Sequence, residues 1–101
     1  MFYITTGSQD VAYDLARIAL EEKLAGCANV FPIRSNFPWQ GVVQEENEHV
    51  LILKTIPSLI EKLSSLIKKH HPYEVPCIMH WVVDVNLEYG NWITSNLSDQ
   101  F

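Results

Sequence analysis

The fold is decided by the run Cys27-Ala28-Asn29-Val30-Phe31-Pro32-Ile33-Arg34-Ser35-Asn36-Phe37-Pro38-Trp39, the pair Gln40-Gly41, and the run from Val42 to Thr55. The first arm reads as an extended segment. Its two prolines each remove a ladder donor, so the strand is expected to bend or to lie at a sheet edge. Gln40-Gly41 is a turn signal. In the second arm Glu45, Glu46 and Glu48 mark an exposed early half, and Val50, Leu51, Ile52 and Leu53 a buried later half. Two strands of this length joined so tightly make a hairpin that should project beyond the body of a small domain.

Upstream of the hairpin, Phe2 to Thr6 is a short β-prone run that Gly7-Ser8 breaks, with Ser8 placed to cap a helix. From Gln9 to Leu24 the apolar residues Val11, Leu15, Ile18 and Ala19 recur at helical spacing. Gly26 is expected to end that helix in the left-handed conformation. Downstream, Ser58-Leu59-Ile60-Glu61 fits a capping box. Leu59, Leu63, Leu66 and Ile67 then form one apolar face, with Lys62, Lys68 and Lys69 turned to water. Val75 to Val85 is apolar on both faces and reads as a strand covered on both. Asn86 to Leu97, with Tyr89, Trp92, Ile93 and Leu97, reads as a short closing helix. The order is β-α-β-β-α-β-α. Two βαβ-like halves around a hairpin predict an α+β, ferredoxin-like domain over residues 1–101, an antiparallel sheet with both main helices on one face. The other face then lacks cover and the hairpin has open edges, so association of identical chains is expected.

At 101 residues there is room for one core. The net charge of −5 comes without a basic cluster larger than Lys68-Lys69, which argues against a nucleic-acid partner. No apolar run approaches the ~20 residues of a membrane span, and no signal peptide is visible. A cytoplasmic protein is expected. Its two cysteines, Cys27 and Cys77, then read as buried reduced thiols. Catalysis is not expected: no phosphate loop or serine motif occurs, and only Cys27 with a histidine could be assembled into a nucleophile and base.

The stretch His70-His71-Pro72-Tyr73-Glu74-Val75-Pro76 carries the chemistry. Its prolines force the chain from a helix end into an extended run. Paired imidazoles can bind a borderline metal, but adjacent extended residues point apart, so a clamp needs a turn or ligands from another chain. The alternative is that His71 fixes the turn by a hydrogen bond while His70 faces solvent. Glu74 could ligate, or pair with a backbone donor or an arginine. Tyr73 should pack with its hydroxyl partnered. His80 reads as a core or interface histidine, His49 as a solvated strand residue, and Trp39 as a contact to a neighbouring subunit.

These residues resemble the CutA family of divalent-cation-tolerance proteins. The likeness rests on Thr5-Thr6, on Ile18-Ala19 with Glu21-Glu22-Lys23-Leu24-Ala25, on Cys27-Ala28-Asn29-Val30, on Trp39-Gln40-Gly41, on Leu53-Lys54-Thr55, and on His71 to Pro76. It implies a ferredoxin-like subunit, a homotrimer held by strand pairing between chains, and binding of divalent metal ions, Cu2+ above all with Zn2+ possible. It implies no enzymatic activity. The copper ligands it implies are His70 and His71 with a cysteine whose position is taken here by Thr5. Thiolate favours Cu(I) and threonine does not, so an imidazole-led Cu(II) or Zn(II) site, with Glu74 as a further candidate, is what the resemblance leaves. The architecture is also similar to PII signalling trimers, which opens an alternative: a binding module whose inter-subunit clefts take a small ligand or protein.

Overall fold

A computed structural model describes residues 1–97, in the order β1 (Phe2–Thr6), α1 (Gln9–Glu21), β2 (Cys27–Trp39), β3 (Val42–Lys54), α2 (Ile60–His70), β4 (Ile78–His80) and α3 (Leu87–Ser95). The hairpin decides the shape. β2 and β3 pair in unbroken antiparallel register from Cys27↔Lys54 to Trp39↔Val42. Gln40 and Gly41 both take positive φ, 51° and 79°, the two-residue turn whose twist matches that of its strands. The hairpin extends a molecule that measures 47 × 26 × 21 Å. β2 is an edge strand, as its prolines require, and the sheet order is β2-β3-β1-β4.

Register sorts the side chains onto two faces. Phe2 pairs with Leu53 and Ile4 with Leu51, and these four are fully buried against Ala12, Leu15 and Ala19 of α1 and Leu63 and Ile67 of α2. Both main helices therefore lie on one face, the ferredoxin-like arrangement. Each buried Leu or Ile there contributes roughly 1.5–3 kcal/mol. Of the alternate residues, Phe31 and Trp39 remain 41% and 60% exposed. The third helix sits at the end of the sheet, where Ile93 and Leu97 meet Leu24, Cys27 and Ile56.

Five local expectations are corrected. The first helix stops at Glu21, and the residue that turns left-handed is Lys23, φ 57°, not Gly26. The Leu24 N–H reaches back to the Ala19 carbonyl and the Lys23 N–H to Leu20, the pair of bonds that closes a helix end. Gly26 is needed for a different reason: a Cβ there would lie 2.7 Å from the Ile93 carbonyl oxygen. The capping box does not form. Pro57–Leu59 makes a 3-10 turn, Leu59 occupies the N-cap position without a side-chain bond, and its complete burial sets where the helix begins. The final strand is confined to Ile78–His80, which pair with Ile4, Tyr3 and Phe2, while Thr5 and Thr6 of β1 have no partner in it. Met1 and Trp81 exchange one further pair of bonds, after which Val82, Val83 and Val85 run exposed at 75%, 45% and 54%. The fourth correction concerns His49, which is half-buried, with a sequestered Nδ1 that meets no hydrogen-bond partner among the described residues. The two cysteines are free but half-buried, not fully enclosed.

Candidate functional site

The end of α2 and the loop after it form the centre of the site. His71 closes the helix in an extended conformation, its N–H bonded to the Ile67 carbonyl at 2.8 Å. Its ring turns inward, leaving the residue 7% exposed. Nε2 lies 2.8 Å from the Thr5 carbonyl oxygen, and Nδ1 lies 3.1 Å from the Tyr73 amide nitrogen. A carbonyl can only accept and an amide N–H can only donate. The proton therefore sits on Nε2, and the single lone pair of the neutral ring, on Nδ1, receives Tyr73.

Tyr73 packs tilted against that imidazole, with ring centroids 4.9 Å apart and planes at 54°, and donates its hydroxyl to Glu48 of β3 at 2.9 Å. Burial, reinforced by the Glu48 hydrogen bond, pushes the Tyr73 phenol up to about 12. Gly7 lies beneath it: a Cβ at position 7 would stand 3.0 Å from the phenol oxygen. The loop is thus tied to β1 through His71 and to β3 through Tyr73.

Beside this loop opens a cleft of about 910 Å³. Phe37, Trp39 and Tyr73 supply aromatic surface, and Glu46, Glu48 and Glu74 supply carboxylates. The lining, which also includes Thr5 and Cys77, contains no lysine, arginine or histidine. An anionic, partly aromatic cleft of this kind can accept a cation and repels an anion. The sequence reading took Glu46 and Glu48 only as exposed strand residues. The signal that marks them is their spacing of two, which puts both carboxylates on one face of β3.

The four residues expected as ligands are divided. Thr5 and Glu74 line the cleft, while His70 lies on a separate shallow cavity of about 260 Å³ beside Asp14 and Pro72. His71 lies between them with both nitrogens bonded. Among the described residues no three of His, Cys, Asp and Glu gather closely enough to hold a metal ion. His80 is exposed, its ring tilted against Phe2 at 5.2 Å. A second cavity, of about 510 Å³, lies between Lys54–Pro57 and the Trp81–Gly90 segment, where the Lys54 ammonium donates to the Tyr89 hydroxyl at 3.0 Å. That bond holds the Lys54 pKa above its ordinary value.

Residues 1–96 match the family model of the CutA1 divalent ion tolerance protein. This chain belongs to the CutA1 family. A CutA1 relative from Thermus thermophilus, a divalent-cation tolerance protein, is 39% identical over 95 residues, covering 92% of each chain. The human protein CutA is 33% identical, and the match spans 96% of this chain but 57% of the human one. The crystal structure of CutA1 from Pyrococcus horikoshii superposes with a TM-score of 0.91 at 34% identity, covering 97% of each chain. CutA1 from Oryza sativa gives the same TM-score, 0.91, also at 34% identity, covering 98% of this chain and 93% of that one. The ferredoxin-like CutA1 architecture is thus shared along nearly the whole chain. In this CutA1 subunit the two adjacent histidines open on different surroundings, His70 on the shallow cavity beside Asp14 and His71 on the Thr5 carbonyl and the Tyr73 N–H.

Proposed function

We propose that the chain acts in divalent cation tolerance as a homotrimer that binds divalent cations, copper foremost. The observation that carries the cation reading is the cleft, whose three carboxylates are offset by no basic side chain of the lining. Membership of a divalent ion tolerance family supports it. Of the expected ligands, His70 has no hydrogen bond from a described residue and Glu74 is exposed at the cleft, so these two have donor atoms to offer. They open on different cavities, and a closed site needs three or four donors. Donors from neighbouring chains are therefore part of the proposal.

Trimer formation draws support from the segment after β4. Beyond Trp81 no backbone group from Val82 to Val85 is bonded to another described residue, and their side chains stand exposed. An unpaired extended segment is a template for strand addition, and a second copy of the chain is the simplest donor. The exposed Trp39 and Phe31 supply apolar area for the same contact.

Light scattering coupled to size exclusion, with Cu(II) calorimetry on the native chain and on Glu46→Gln/Glu48→Gln, tests both parts. A trimer whose copper affinity falls about tenfold in the variant supports the reading. A monomer at micromolar concentration, or native protein with no copper heat, defeats it. The aromatic lining favours one alternative, a PII-like module that takes a small organic ligand in the same cleft. That reading predicts thermal stabilisation by an organic ligand in the absence of metal.

A further inference from the structure

We infer that His71, which the family resemblance offers as a copper ligand, is a positioning residue that holds the Pro72–Pro76 loop closed and binds no metal in this chain. A neutral imidazole has one lone pair. Here it accepts the Tyr73 N–H, while the opposite N–H donates to Thr5. A cation at Nδ1 must evict the Tyr73 amide and leave that donor without a partner. A cation at Nε2 must expel the proton and the Thr5 carbonyl, which itself becomes an unsatisfied acceptor. Either route undoes the attachment of the loop to β1 in a residue that is 7% exposed.

The loop in turn sets the cleft. Tyr73 follows His71 by two residues, packs tilted against its ring, and meets Glu48 only while the turn is held. His71 thus acts on the carboxylate-lined cleft through Tyr73, without touching whatever the cleft binds. His70 faces the other cavity and takes no part in this chain of bonds. Two adjacent histidines therefore do different work.

The inference concerns the free protein and stands apart from the proposed function. Its test is 15N NMR of the imidazoles at neutral pH, followed by titration with diamagnetic Zn(II). The expected result is a His71 protonated at Nε2 and bare at Nδ1, with resonances that Zn(II) leaves in place. His71→Asn, which retains an acceptor near the Nδ1 position, and His71→Ala are compared alongside. His71→Asn, which keeps the Tyr73 N–H bonded, should hold Cu(II) affinity within about threefold of native and melt slightly lower. His71→Ala, which releases the loop, should melt lower still and weaken the cleft along with it. Two results overturn the inference. One is a Zn(II)-induced shift at His71 Nδ1. The other is a His71→Asn protein with native melting whose Cu(II) affinity has dropped about tenfold or more. A native chain without affinity for any metal sinks the proposed function but leaves the predicted His71 tautomer as the deciding observation here.

Discussion

The Tyr73 hydroxyl donates to the Glu48 carboxylate at 2.9 Å, joining the loop after α2 to the third strand at the edge of the cleft. The two residues lie 25 positions apart, and the bond exists because His71 holds the intervening turn against β1.

This contact has a pH signature. Tyr73 titrates at about 12, raised by burial and by Glu48, so its neutral form is favoured in the folded protein. A raised folded-state pKa contributes stability that is complete below the unfolded value of about 10 and disappears as the pH climbs through 12. Ultraviolet titration should show Tyr73 as a late-titrating phenol in the native chain. In Glu48→Gln it should titrate earlier. If the late component is unchanged in that variant, Glu48 is not its partner.

Gly26 approaches α3 too closely to carry a side chain. Gly26→Ala places a methyl group 2.7 Å from the Ile93 carbonyl oxygen and 3.0 Å from its Cγ2, both parts of a packed helix. The expected loss is about 1–3 kcal/mol by chemical denaturation, as for overpacking elsewhere. Gly41→Ala serves as the comparison: nothing lies within 4 Å, and only the positive φ of 79° is strained. A smaller loss at Gly26 than at Gly41 would contradict the account.

Lys23 is a non-glycine residue in the left-handed conformation, φ 57°, at the end of α1. Lys23→Gly should raise stability by up to about 1 kcal/mol, since glycine avoids the Cβ clash at a helix end. Destabilisation on this substitution would show that the lysine side chain contributes more than its backbone strain costs.

Thr6 is completely buried, and its hydroxyl reaches the carbonyls of Ser8 and His49 at 3.0 and 2.9 Å. Thr6→Val keeps the shape and removes the one proton that the two carbonyls share, although the Ser8 oxygen still accepts from the Ala12 N–H at 3.2 Å. A loss of about 1–3 kcal/mol in urea unfolding is expected. A neutral result would mean that water replaces the hydroxyl.

The exposed segment after Trp81 should govern assembly. Val83→Pro removes a backbone donor from a segment that makes no bond within the described chain, so the fold of one subunit should survive while the oligomer weakens. Light scattering and circular dichroism read the two effects separately. An unchanged trimer would place its contacts elsewhere, and a monomeric native chain would remove the premise.

Much of this molecule was decided by the amino-acid sequence alone, because the signals were local. Thirteen-residue arms around Gln40-Gly41 can only make a long hairpin, and the spacing of Leu15, Ala19, Leu63 and Ile67 can only make two helices with one buried side each. Alternation along β1 and β3 then orients the sheet. Tertiary structure decided what depends on groups distant in the chain. Gly26 is constrained by Ile93, not by the helix it follows. The last strand is set by the three residues that register against Phe2, Tyr3 and Ile4, not by the length of its own apolar run. Most of all, the His70-His71 pair carries no local mark of which ring turns inward. That choice belongs to the Thr5 carbonyl, 66 residues away, which offers an acceptor where the buried imidazole needs one. Periodicity specifies which face of an element is apolar, but a buried polar side chain is oriented by whichever distant backbone group completes its hydrogen bonds.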